Sequence, residues 1–156
     1  HVCVEQDGRQ CNCGLKGCLE TYASAMGVAR TAREFLKKDS GKSILHNLDP
    51  EKISSKDIYD AAVQGDSLAK EIFTYTGRIL GRAMGDFVKF SSPQAIVLFG
   101  GLTKSREFFH DDMVKAMNDN LMQIWKGKIQ ILYSSLKESD AAILGASSMV
   151  WSPDEV

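Results

Sequence analysis

Val2, Cys3 and Val4 open the chain as a short apolar run that reads as the end of a strand over residues 1–5, and a polar, glycine-bearing loop follows from Gln6 to Gly17. From Leu19 to Lys38 the apolar positions Tyr22, Met26, Ala29, Phe35 and Leu36 recur at helical spacing, which predicts a helix. The pattern breaks between Asp39 and Pro50. Ser54 or Ser55 can cap a short helix through Val63, with Asp57 in its first turn and Gly65 just past its end. A long helix is predicted from about Ser67 to Phe90, with Leu68, Ile72, Ile79, Ala83 and Phe87 on one face. Gly77, Gly81 and Gly85 recur at four-residue spacing along it. Each costs up to about 1 kcal/mol of helix stability relative to alanine, so the repeat predicts close approach by a neighbouring element.

After Pro93, the continuous run Ala95 to Phe99 predicts a strand buried on both faces, ended by Gly100-Gly101. A helix from about Arg106 to Trp125, a strand at Ile129 to Tyr133 and a last helix from about Asp140 to Val150 complete the pattern. This alternation of strand and helix places the chain in the α/β class.

Composition narrows the possible partners. The 156 residues make one domain, or one lobe of something larger. Nineteen basic and twenty acidic residues give a formal net charge of −1, which offers no general electrostatic footprint for nucleic acid or an anionic membrane. The longest apolar run, Ala95 to Leu102, falls far short of the roughly 20 residues of a membrane span. With no secretory signal pattern, the expected location is cytoplasmic. The chain begins at His1 and enters an apolar stretch at once, so it reads as an internal piece whose N-terminal portion is missing.

The concentrated chemistry lies in the first loop, where Cys11, Cys13 and Cys18 fall within eight positions. Cys11 and Cys13 are too close to pair comfortably, and any disulfide would leave an odd thiol, so a metal site is the better reading than a staple. Three thiolates leave one position of a tetrahedral zinc open. Of the three histidines, His1, His46 and His110, only His1 lies where the chain can double back onto the cluster. A site of His1, Cys11, Cys13 and Cys18 would be closed and therefore structural. The alternative is a set of free buried cysteines. Cys3 reads as a core residue, and His46 and His110 as solvent-facing.

His1, Gly8, Cys11, Cys13, Gly14, Gly17, Cys18 and Glu20 resemble, position for position, the zinc signature of the ROK family of sugar kinases and sugar-responsive repressors. The segment Ile96 to Gly101 resembles that family's adenosine-side motif, and Ala141 to Ala146 its closing helix. The resemblance implies the C-terminal lobe of a two-lobed, actin-like ATPase (ribonuclease H-like) fold with a zinc-binding loop. Its parts would be a zinc loop and sugar-side segment over 1–24, a mainly helical segment over 25–92, and a strand-helix-strand-helix segment over 93–156. The N-terminal lobe would be missing, and with it the phosphate loop, the catalytic Asp and a further sugar-binding Glu.

The implied activity is ATP- and Mg²⁺-dependent phosphorylation of a hexose, glucose-like or N-acetylated. Glu20 would contact sugar hydroxyls, and His1 would place one ring nitrogen on structural zinc and the other toward the sugar. Gly100 and Gly101 would meet the nucleotide, since a strand ending in two glycines lets backbone approach a flat ligand. Alone, Glu20 is also a helix first-turn carboxylate favoured by the macrodipole, and the glycine pair a turn. The catalytic base would lie in the missing lobe, so the chain by itself is expected to be inactive. Sugar and ATP are the expected partners, with no nucleic acid contact by this lobe, an uncovered apolar face and a homodimeric assembly. The alternatives are a sugar-sensing ROK repressor, which would bind through the same lobe, and a zinc-stabilised module with neither activity.

Overall fold

Among the described residues, capping side chains start four helical segments, with Ser24, Ser43, Ser54 and Asp66 each accepting from a backbone amide. A computed structural model describes residues 1–150; the last six residues of the 93–156 segment lie outside the described residues. Helix α1 spans Glu20–Ala23 and α2 spans Ala25–Leu36. They are separate because Ser24 is extended (φ −115°, ψ 170°) and its hydroxyl accepts from the Gly27 amide. The helix predicted from Leu19 to Lys38 is therefore broken by an internal cap. Helix α3, Ser55–Val63, starts at Ser54 with a complete capping box: the Ser54 hydroxyl accepts from the Asp57 amide, and the Asp57 carboxylate accepts from the Ser54 amide. The break before it contains a 3₁₀ turn at Ile44–Asn47, capped by Ser43.

Helix α4, Ser67–Ser91, is the longest element and packs against α1, α2 and α3. Strand β1, Ala95–Leu98, follows it, then a 3₁₀ segment at Gly101–Phe108, helix α5 at His110–Asp119, strand β2 at Gln130–Tyr133 and helix α6 at Glu138–Ser148. The helix predicted from Arg106 to Trp125 is shorter, because Phe109 (φ −132°, ψ −13°) separates the 3₁₀ segment from α5 and the chain turns at Asn120. No ladder forms over residues 1–5. That segment makes only isolated antiparallel bridges, Cys3 to Cys18 and, deeper in the loop, Gln10 to Lys16.

β1 and β2 pair in parallel, Ala95 opposite Gln130 and Leu98 opposite Tyr133. Ile96, Leu98, Ile129 and Ile131 lie against the helical core, which is centred on Ile58, Ile72, Phe73, Val88, Phe109 and Met113. Val97, Phe99 and Leu132 are exposed, at 60%, 48% and 46%. The strand predicted to be buried on both faces is covered on one, because α4 and α5 contribute to the core on the Ile96–Leu98 side. Among the described residues no helix is long and apolar enough to cross a membrane.

The glycine repeat has the predicted role. A methyl group at Gly77 would sit 2.6 Å from the Phe109 carbonyl oxygen, and one at Gly85 would sit 3.0 Å from the Asn120 side chain. A methyl at Gly81 would overlap the Met113 carbonyl oxygen. Backbone contact between α4 and α5 thus occupies the space a side chain would need.

Helix propensity alone makes Gly81→Ala stabilising by about 1 kcal/mol. The contact with Met113 reverses the sign, and Gly81→Ala is expected to lower stability by about 1–3 kcal/mol. Gly145→Ala in α6, where nothing lies within 4 Å of the added methyl, should instead be neutral or stabilising. Urea unfolding of both variants separates crowding from propensity.

Candidate functional site

The loop from Gln6 to Gly17 has little apolar material of its own, and Arg9 ties it down. Its side chain is almost fully buried. Nη2 donates to Glu34 Oε2 at 2.6 Å and Nε to Glu34 Oε1 at 3.1 Å, a two-pronged ion pair with α2. Nη1 donates to the carbonyls of Thr21 (2.6 Å) and Gly27 (3.2 Å), and Nη2 to the Thr31 hydroxyl (2.8 Å). The guanidinium lies 4.3 Å from the centre of the Tyr22 ring, whose hydroxyl accepts from the Arg9 amide. One side chain thereby joins the loop to α1 and α2. Sequence reasoning missed it, because Glu34 stands 25 positions away and no local pattern links the two.

Around that anchor the loop gathers four ligand-type side chains. One ligand-type atom each of His1, Cys11, Cys13 and Cys18 lie within 4.8 Å of one another. Cys13 Sγ is 3.6 Å from Cys18 Sγ, and Cys11 Sγ is 3.6 Å from His1 Nδ1. A tetrahedral zinc with Zn–S bonds of about 2.3 Å sets neighbouring sulfurs about 3.8 Å apart, so the spacing fits such an ion. Cys11 and Cys18 are buried, and Cys13 is exposed. The Cys18 thiol is pushed up to about 12 by burial and by the adjoining thiols of Cys13 and Cys11. Cys13 is held below the usual thiol value, chiefly by the Leu15 backbone amide. A divalent cation at the centre would favour both thiolates.

Two sequence expectations need correction. Cys3 is exposed rather than part of the core, because it occupies a bridge at the edge of the loop and not a covered strand. His110 is half-buried, not solvent-facing: its Nδ1 meets the Tyr133 hydroxyl at 2.8 Å, where the fold brings the start of α5 beside the end of β2. His46 is exposed as expected, and pairs with Asp39 at 2.9 Å.

Glu20 begins α1 directly after the cluster. The Cys18 carbonyl accepts from the Thr21 amide at 2.9 Å and the Thr21 hydroxyl at 2.7 Å, so the first turn of α1 hangs on the residue carrying the buried thiol. Glu20 Oε2 is 3.5 Å from His1 Nδ1 and 4.0 Å from Cys11 Sγ. Both side chains remain more than half exposed. Glu20 lines a cleft of about 260 Å³ that continues past Thr21, Ser24 and Arg30. His1 Nδ1 faces the sulfurs, which leaves Nε2 for another partner.

Gly100 and Gly101 lie elsewhere, at the carboxyl end of β1. Gly100 has φ +113°, with open space where a side chain would project, and its carbonyl accepts from the Thr103 amide and hydroxyl. With Phe99, Lys104, Ser134 and Lys137 it lines a cleft of about 500 Å³ beyond the ends of the parallel strands. A second cleft of about 460 Å³ runs from Gly101 past Tyr59 to Ala25, at the start of α2. The Gly101 cleft reaches Ala25, whose chain neighbours Ser24 and Met26 line the cleft beside Glu20, so the two sites stand on neighbouring clefts.

The ROK family profile matches residues 1–152. The chain is 36% identical over 152 residues to a glucokinase of Thermotoga maritima, covering 96% of this chain and 47% of that protein. It is 31% identical over 150 residues to the DNA-binding transcriptional dual regulator NagC of Escherichia coli, covering 96% of this chain and 36% of the regulator. The solved structure of a ROK family glucokinase from Streptomyces griseus in complex with glucose and AMPPNP superimposes with a TM-score of 0.81 at 28% identity, over 96% of this chain and 49% of that one. The chain belongs to the ROK family. Its mixed α/β fold is that of ROK sugar kinases, which are actin-like ATPases, and it spans about half the length or less of these relatives.

Removing the Arg9 guanidinium leaves the Thr21 and Gly27 carbonyls and the Thr31 hydroxyl without their donor. Because Glu34 can rehydrate, Arg9→Met is expected to cost roughly 2–4 kcal/mol, and Arg9→Lys nearly as much, since an ammonium cannot reproduce the fork. Hydrogen exchange should accelerate first at the amides of Cys11, Gly14 and Gly17, whose bonds close the loop. Unchanged protection there would show that Arg9 is not the anchor.

Proposed function

We propose that this chain is the C-terminal lobe of an ATP-dependent ROK hexose kinase, and that its first loop, braced by structural zinc on His1, Cys11, Cys13 and Cys18, presents Glu20 and His1 to the sugar. The observation that carries the reading is Glu20 Oε2 at 3.5 Å from His1 Nδ1, with both side chains more than half exposed and Glu20 lining a cleft. A carboxylate can accept hydrogen bonds from neighbouring hydroxyls, and the neutral face of an imidazole adds one further donor or acceptor. Zinc would supply rigidity and no chemistry of reaction, its four positions being filled by protein. Fixed through Cys18, the start of α1 then holds Glu20 at one orientation, which is what positioning a single hydroxyl for phosphoryl transfer requires.

Gly100 and Gly101 are the proposed nucleotide contacts, with Mg²⁺ accompanying the phosphates. The open backbone at Gly100 and the position beyond two parallel strands support this. So does the likeness to a glucokinase solved with glucose and AMPPNP. The cleft between Gly101 and Ala25 gives a route along which a sugar held at Glu20 and a nucleotide held at Gly100 approach each other. Asp60, the carboxylate that lines this cleft, is paired with Lys56 at 2.8 Å, and Glu20 is occupied with binding. In this reading the base and the phosphate loop belong to the other lobe, consistent with a match covering about half of the glucokinase.

The resemblance to NagC supports a second reading, a sugar-sensing repressor using the same loop. The two differ in turnover, not in sugar binding. The full-length protein should release ADP from ATP only when a hexose is present. Binding of sugar without turnover would assign it to the repressor branch. The 156-residue chain alone should show no hexose-dependent ADP release above a no-enzyme blank.

Purified without added metal, the chain is expected to carry close to one zinc, and a metal-free preparation would remove the brace from the proposal. In the full-length protein Glu20→Gln should weaken sugar binding about ten- to a hundredfold, the equivalent of one charge-assisted hydrogen bond. Its zinc content and ATP affinity should stay unchanged. Cys18→Ser should instead lose metal and sugar binding together. Calorimetry beside metal analysis reads both, and unaltered sugar affinity in Glu20→Gln would show that the carboxylate only caps a helix dipole.

A further inference from the structure

Cys3 is the one cysteine that the metal cluster does not use, and it is exposed. Its place is set by two backbone hydrogen bonds, Val4 N–H to the Gly17 carbonyl at 2.8 Å and Leu19 N–H to the Val2 carbonyl at 2.9 Å. These bonds flank Cys3 and Cys18 without joining them, so the two cysteines form a non-hydrogen-bonded antiparallel pair. In such a pair the Cα atoms approach to about 4.5 Å and both side chains leave the same face. Disulfides span Cα separations of about 4.4–6.8 Å, so the backbone already meets the requirement. The Cys3 thiol makes one weak hydrogen bond, to the Glu5 carbonyl at 3.6 Å, and the Cys18 sulfur faces Cys13 at 3.6 Å, so pairing asks both side chains to rotate toward each other.

We propose that Cys3 is an oxidation site: a small hydroperoxide converts Cys3 and Cys18 into a cross-strand disulfide, which withdraws Cys18 from the metal cluster. The first step transfers oxygen to sulfur, with Cys3–SH and H₂O₂ giving Cys3–SOH and water. The Cys18 sulfur then attacks the Cys3 sulfur, the S–O bond breaks and the oxygen leaves as a second water after taking up one proton. Two electrons have passed from the pair of sulfurs to the peroxide bond, and a dithiol reductant reverses the change. With four protein ligands around a metal, Cys3 is the sulfur an oxidant meets uncoordinated and exposed. Loss of Cys18 leaves His1, Cys11 and Cys13, an incomplete set for a structural ion. Because the Cys18 carbonyl starts α1, the same step disturbs Glu20. Metal release rests on the zinc reading above, whereas formation of the disulfide does not.

The sequence makes the test clean. Trypsin cuts after Arg9, Lys16 and Arg30, so Cys3 falls in peptide 1–9, Cys11 and Cys13 in 10–16, and Cys18 in 17–30. The reduced 156-residue chain, treated with equimolar hydrogen peroxide and then alkylated, is expected to give peptide 1–9 linked to 17–30 as the main product. A 10–16 to 17–30 linkage with Cys3 still alkylated would overturn the assignment. Zinc release followed with a colorimetric chelator should be several-fold slower in Cys3→Ser, which alters an exposed side chain and leaves the ligands intact. Release at the unmodified rate in Cys3→Ser would equally reject Cys3 as the point of attack. If the chain carries no zinc, the peptide map alone decides the disulfide.

Discussion

Burial of a single guanidinium holds the functional end of this protein together. Residues 1–19 form no helix and no strand ladder, and a segment with so few regular hydrogen bonds cannot hold a defined shape through burial of its own apolar groups. Arg9 supplies the missing order by reaching out of the loop into the angle between α1 and α2, where a carboxylate, two carbonyls, a hydroxyl and an aromatic face converge on it. A buried charge so fully surrounded is costly to leave uncompensated, which makes the arrangement specific to one geometry. His1, Cys11, Cys13 and Cys18 gather within 4.8 Å of one another on the same segment. Fold and site share one origin here: the contacts that order the loop also orient Glu20.

Much of this was legible from spacing. Three thiols in one short loop and a histidine upstream marked four ligand-type residues, and the fold does bring these side chains together. Ser54 and Asp57 marked a helix start that appears with both halves of its capping box. What the sequence hid were features created by distant partners. Arg9 is an ordinary loop arginine until Glu34 stands opposite it. Ser24 looks like a tolerated helix residue until the Gly27 amide turns to its hydroxyl. Phe109, which with Phe108 is apolar in an otherwise charged stretch, gives no sign that its backbone leaves the helical region. Val97 and Phe99 carry β-forming side chains whatever covers them, so a hydrophobic run could not reveal that one face of the sheet is bare. Cys3 misled for the same reason, since a cysteine in an apolar run has the composition of a core position and the exposure of an edge.

The division of the surface follows from the topology. A parallel strand pair opens its carboxyl ends toward one side, and there the glycine pair leaves backbone uncovered. Glu20 begins α1, directly after the first loop, and lines a different cleft from Gly100. In the proposed reading, recognition of a sugar and recognition of a nucleotide would draw on different local chemistry, one on acid and imidazole side chains and one on bare main chain. A family containing both a glucokinase and a DNA-binding regulator is compatible with that separation, because the loop half can bind whether or not the glycine half is used.

Helix α4 touches α1 and α2 at one part of its length and α5 along its glycine face. Side-chain interfaces can slide by exchanging rotamers, but two backbones in contact have no such slack. The helix therefore behaves as a fixed gauge between the metal loop and the segment that follows Gly101. Ligand-driven closure, if it brings sugar and phosphate together, must carry this whole unit as one jaw and find its hinge outside α4.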